Sequence, residues 1–258
     1  MIALFLYNLG WGQSNANYSF ATNATASLTD MSSGTTELSL ASATLPNSVY
    51  HDDDASPVTL FTSASNPFVV YFMGVAYDRF SVNSNGQLRL GNASATTAIN
   101  GTSYSGFSAN TALLAPMSGD ACLQSNGKVI YKVTGSAPNR IATVEWTIRL
   151  PYATTPASGT NSVMQVRLYE GTNAIEYVYG TMYQNTGTGT TRSIGWCGSA
   201  ATVSATNNTF ITAFNSAPAN NYVAISTWTT TTLVASANIP LLNSASDGSR
   251  RIFSLTPS

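Results

Sequence analysis

The chain has 258 residues, of which 43% are hydrophobic and only 8% charged, and its formal net charge is −1. That length and apolar content suit one large all-β domain with a sizeable core. With no Lys/Arg stripe in so weakly charged a chain, electrostatic capture of nucleic acid or of an anionic membrane is not expected, and a surface carried by Ser, Thr, Asn, Gly and Ala suits an extracellular setting.

Residues 2–11, IALFLYNLGW, are the most apolar run. It is too short to cross a bilayer as a helix. No Lys or Arg precedes it, so it lacks the n-region of a secretory signal. Three readings stay open for residues 1–13: a leader remnant, an ordinary core strand, or an assembly strand. In the last, Ile2, Leu4, Phe5, Leu6 and Leu9 enter the sheet edge of a neighbouring copy. Residues 14–258 form the domain proper.

Short strands with polar spacers are expected at residues 18–20 and 37–40. Between them and the first long apolar stretch, residues 50–58 (YHDDDASPV) make an acidic loop. Asp52, Asp53 and Asp54 could ligate calcium, which takes several oxygens, and calcium is the one cofactor the sequence suggests. The run lacks the alternate-residue spacing of an EF-hand, and Asp also favours turns by bonding nearby backbone amides. His51 is the single histidine, so chemistry that needs a His pair or triad is excluded.

Residues 68–91 are expected to be the centre of the molecule. An apolar run at 68–72 leads through Met73-Gly74 to an alternating strand at 77–82. Then come Asn83-Ser84-Asn85-Gly86 and a strand carrying Leu88 and Leu90 on one face. Asn-Gly between two alternating runs is a strong hairpin signal. Leu113-Leu114-Ala115-Pro116 reads as a buried strand or its end.

Two further hairpins follow. Residues 128–133 pair with the long strand 140–150, in which Val144, Trp146, Ile148 and Leu150 face one way and Glu145, Thr147 and Arg149 the other. Residues 163–170 pair with 174–179, and strands at 192–197, 209–214, 222–228 and 251–255 close the domain. Many short strands joined by Gly, Pro and Asn turns point to an antiparallel β-sandwich, jelly-roll-like, in a single large domain.

For chemistry, Glu145, Glu170 and Glu176 on adjacent strands offer paired carboxylates of the kind glycoside hydrolysis uses. Arg149 and Arg167 are the expected cross-strand partners of Glu145 and Glu176, and a charge ladder on a wet sheet face is the commoner cause of such a pattern. No catalytic residue is assigned, and a non-enzymatic role is expected. Tyr104, Phe107, Tyr152 and Tyr183 fall in loop-like stretches and could stack on sugar rings. Cys122 and Cys197 are expected to form a disulfide in an oxidising compartment.

From Tyr18 onward the chain resembles a β-sandwich domain common in secreted and surface proteins of Bacteroidota. The residues that carry the resemblance are Tyr18-Ser19-Phe20, Asp52-Asp53 with Ser56-Pro57-Val58, Phe72-Met73-Gly74 and Phe80-Ser81-Val82-Asn83-Ser84-Asn85-Gly86. Further on they are Leu114-Ala115-Pro116, Val144-Glu145-Trp146, Leu168-Tyr169-Glu170 and Ser193-Ile194-Gly195. The second half also resembles nidogen-type extracellular modules. The resemblance implies export, a non-catalytic role at the cell surface, and partners among other copies of the chain, cell-surface components or a polysaccharide. Such domains usually sit in longer proteins that end in a sorting domain. The sequence shows none, so either a fragment or an isolated working unit is expected.

Overall fold

The computed structural model describes residues 18–23, 26–40, 51–102, 112–124, 126–150, 152, 161–183, 192–198, 210–216, 221–227 and 252–257. Among these the regular elements are all strands. They are β1 (Tyr18–Asn23), β2 (Thr36–Glu37), β3 (Thr59–Leu60), β4 (Val70–Phe72), β5 (Val75–Tyr77), β6 (Arg79–Val82), β7 (Leu88–Gly91) and β8 (Leu113–Gly119). The second half adds β9 (Lys128–Thr134), β10 (Ile141–Ile148), β11 (Ser162–Tyr169), β12 (Ile175–Tyr179), β13 (Arg192–Cys197), β14 (Phe210–Ser216), β15 (Asn221–Thr227) and β16 (Ile252–Pro257). No helix of the described residues is long and apolar enough to cross a membrane.

Two antiparallel seven-stranded sheets face each other. The first runs β1-β16-β12-β11-β10-β9-β2 and the second β15-β14-β13-β8-β7-β6-β3. The alternation expected for β10 holds at its centre: Val144, Trp146 and Ile148 are fully buried, while Glu145 and Thr147 lie on the outer face. They meet Phe80, Leu88 and Leu114 of the second sheet in one continuous core. Hydrogen bonds also tie the layers together across that core. The Tyr177 hydroxyl donates to Gly195 O at 2.8 Å, and that of Tyr179 to Pro116 O at 2.6 Å.

The strands of residues 68–91 are divided between two sheets. β4 and β5 form a separate two-stranded ribbon, and the chain breaks at Asp78 before β6. The ribbon turns on Met73 and Gly74, both at positive φ, +51° and +77°. Two such residues match the strand twist of a tight hairpin. A methionine occupies the first because it is buried and its amide donates to the Tyr18 hydroxyl at 3.2 Å.

Pro116 lies inside a fully buried strand, β8. A proline cannot donate to a ladder and is tolerated at bulges. Here the pairing of β13 with β8 slips between Ser193 and Gly195, opposite this position.

The expected Cys122–Cys197 disulfide is not formed: the two sulfurs are separate and both side chains are buried. Cys122 bridges Asp52 and Arg149 at the end of the first sheet. Cys197 pairs with Leu113 in the second sheet and packs with Ile99 and Ala115, apart from the main core. Sheet register therefore sends the two side chains to different environments.

Candidate functional site

Among the described residues, a dense buried polar cluster grows from the turn between β6 and β7. Asn83, Ser84, Asn85 and Gln87 are all fully buried. An amide side chain both donates and accepts, so it can satisfy several backbones at once. Asn83 takes the Gln87 amide on Oδ1 at 2.9 Å and gives Nδ2 to Asn100 O at 3.1 Å. Asn85 gives Nδ2 to Asp53 Oδ1 and to Gly101 O, at 2.8 and 2.9 Å. Its Oδ1 accepts the Ala121 amide at 2.9 Å. Trp146 of the opposite sheet donates Nε1 to Asn83 O at 3.0 Å. Gly86, at φ +79°, completes the turn, and a Cβ there would lie 1.9 Å from Met117 O.

This buried knot holds the acidic loop in place. Ser84 and Asp54 exchange bonds: the Ser84 amide donates to Asp54 O at 2.8 Å and the Asp54 amide to Ser84 Oγ at 3.0 Å. Asp54 Oδ2 in turn lies 2.7 Å from His51 Nδ1. His51 and Asp53 both sit at positive φ, +46° and +55°. Asp52 is half-buried, and its carboxyl is pushed up to about 7, first by burial and then by the charges of Asp53, Asp120 and Asp54. Burial, with Asp53 second, also raises Asp120.

The three consecutive acids each have a different neighbour. Asp52 bonds Tyr152, Asp53 bonds Asn85 and Asp54 faces His51. Among the described residues no three His, Cys, Asp or Glu side chains come together to hold a metal ion. Asp52 Oδ1 and Asp54 Oδ1 are buried with no hydrogen-bond partner among those residues.

Beside His51 lies a cleft of about 320 Å³, walled by Glu37, Leu38, Leu40, Leu123 and Lys128. Asp54 orients the imidazole there as a carboxylate orients a histidine in other sites. No hydroxyl or thiol of the described residues is hydrogen-bonded to His51. The arrangement can fix an imidazole at the edge of a small polar cleft and offer hydrogen bonds to an occupant.

The other expected site residues lie apart. Glu176 meets Arg167 as anticipated, paired in register and 3.5 Å apart. It also takes the Tyr169 hydroxyl at 2.6 Å. Glu145 does not meet Arg149, which is buried at the end of β10; it takes Gln165 Nε2 at 2.7 Å instead. Burial holds the Glu145 carboxyl above the usual range. Glu170 forms a two-point pair with Arg140, at 2.7 Å to Nε and 2.5 Å to Nη2, which holds its carboxyl below that range. Of the aromatics, Tyr183 is 40% exposed, and Tyr152 is half-buried against Asp52. Tyr104 and Phe107 lie outside the described residues, as do Ile2, Leu4, Phe5, Leu6 and Leu9.

Sequence reasoning missed the buried role of residues 83–87, reading only a hairpin turn. The available signal was the density of side-chain amides, three in five positions. It also missed Tyr71, which is 50% exposed on the β4–β5 ribbon.

No curated protein and no solved structure matches the chain. One family model does, described as NIDO related, over residues 17–237. That span takes in every strand but β16, with the buried turn and the acidic loop, and the chain belongs to this NIDO-related family.

Proposed function

We propose that the protein is a non-enzymatic extracellular domain with a structural or adhesive role, and that it assembles with copies of itself. Residues 2–9 of one copy enter the sheet of the next as an added strand. The observation that supports this reading is the unevenness of the sheet edges. Two of the four terminal strands, β2 and β3, have two residues each, whereas β1 and β15 have six and seven. Natural proteins protect long edges with charge, proline or a cover. Neither β1 (YSFATN) nor β15 (NYVAIST) contains a charged residue or a proline. Membership of a nidogen-related family supports the extracellular setting.

Negative-stain electron microscopy of the full-length chain beside residues 14–258 tests the reading. Fibres from the first and isolated particles from the second are expected. Fibres from both, or single particles from both, overturn it.

A carbohydrate-binding module is the second reading, favoured by the exposed rings of Tyr71 and Tyr183. It requires saturable polysaccharide binding that falls at least tenfold in Tyr71→Ala or Tyr183→Ala.

A further inference from the structure

The two sides of the sandwich are finished differently. On the β2/β3 side, aromatic side chains bridge the sheets. Phe61 stacks on Phe80 with ring centres 4.6 Å apart, and Phe80 meets the edge of Tyr131 at 5.1 Å. The Tyr131 hydroxyl, from β9 of the first sheet, reaches Leu60 O of β3 at 3.5 Å. That side is closed by packing.

On the other side β1 and β15 approach one another but remain the last strands of separate sheets. Among the described residues no strand pairs with the outer edge of either. In an antiparallel pair every second residue turns its N–H and C=O away from the partner. β15, paired with β14 along its whole length, therefore directs the backbone groups of about three or four residues outward.

We propose that the outer edge of β15 is the acceptor for residues 2–9 of a second copy. The inference rests on the strand-donation reading above and names its receiving surface. The lengths agree: an eight-residue run against a seven-residue edge. Both sequences are rich in residues that suit a pleated surface, with Tyr222, Val223, Ile225 and Thr227 in the acceptor and Ile2, Phe5 and Tyr7 in the donor. β1 is the poorer acceptor. It is shorter, and it continues from the donor run through residues 10–17, so a donated strand there would lie beside the root of the acceptor's own N-terminal run. At β15 donor and acceptor are separate surfaces of one chain. Such a head-to-tail contact propagates where its rotation does not close into a ring.

The test is photo-crosslinking of the full-length chain with p-benzoylphenylalanine replacing Phe5. Position 5 lies near the middle of the donor and Ala224 at the middle of the acceptor, so the two stay close whether the strands run parallel or antiparallel. Unlabelled and ¹⁵N-labelled copies are mixed before assembly, and the joined peptides are read by mass spectrometry. Mixed-label products joining residue 5 to residues 221–227 are the expected result. Crosslinks within one copy overturn the proposal, as do fibres with no crosslink to this strand. Crosslinks between copies that land on residues 18–23 overturn the choice of edge and leave strand donation standing. Monomeric particles with no crosslink at all overturn both. As a second arm, Ala224→Lys adds a charge to the acceptor sequence and is expected to abolish fibres while the far-UV circular dichroism stays that of the parent. Fibres from Ala224→Lys at parental yield also count against the proposal.

Discussion

Asn85 and Asp53 are joined by a 2.8 Å hydrogen bond that links the turn after β6 to the acidic loop, and the same Asn85 side chain holds Gly101 O and the Ala121 amide. One fully buried residue thus connects three segments remote in sequence. Asn85→Ala leaves two backbone groups and one carboxylate oxygen without their partner. Each abandoned buried polar group costs about 1–3 kcal/mol, so a loss of roughly 3 kcal/mol is expected from urea unfolding. A change below about 1 kcal/mol would show that water replaces the side chain.

Gly86→Ala should be at least as damaging for a different reason. Its φ of +79° disfavours a side chain, and the added Cβ would sit 1.9 Å from a backbone oxygen that cannot rotate away. Both strain and overlap act in the folded state. Low soluble yield, or a thermal midpoint lowered by ~10 °C or more, is the expected outcome.

Arg140 and Glu170 pair at 7% and 12% side-chain exposure, and Arg140 also donates to Asn66 O and Pro67 O. Arg140→Ala removes the partner of a largely buried carboxylate and releases the loop at Asn66 and Pro67, with an expected cost of about 3 kcal/mol. The pair depresses the folded-state pKa of Glu170. Its contribution is present above the unfolded value of about 4.3 and is lost as pH falls through the folded one. Arg140→Ala should therefore flatten the acid limb of the stability curve, measured from pH 5 down to pH 2.

Asp52 works in the opposite sense. Its folded-state value is raised to about 7, so between about pH 4 and pH 7 the native state binds more protons than the unfolded one. Stability from this group is greatest below pH 4 and declines as pH rises toward 7, and Asp120 acts in the same direction. Asp52→Asn removes the charge, so it should gain stability relative to the parent at pH 8 and show a smaller difference between pH 5 and pH 8. Denaturant midpoints at the two values decide it.

Because Cys122 and Cys197 are separate thiols, dithiothreitol is expected to leave the thermal midpoint unchanged. Thiol titration should count two reactive groups per chain after unfolding and almost none before. A fall in the midpoint with reductant would point to a bridge.

The sequence by itself determined the β class and most of the strands. Alternation along residues 141–148 is a direct record of which side chains meet the core, because a strand turns successive residues to opposite faces. The hairpins β9–β10 and β11–β12 were legible for the same reason, since their contacts are local. The Arg167–Glu176 pair was legible too, following from the register of a single hairpin.

Tertiary structure decided the rest. Arg149 obeys the alternation on paper yet is buried, because the chain beyond β10 bridges to Cys122. The folded loop gives each of three consecutive aspartates a different neighbour, which their adjacency in sequence does not show. The Asn-rich turn reads only as a hairpin signal, and it is buried because segments distant in sequence close over it and its amides satisfy their backbones. Which strands end each sheet among the described residues was likewise invisible in the chain: it depends on where strands far apart in sequence come to rest side by side, and local periodicity carries no information about that.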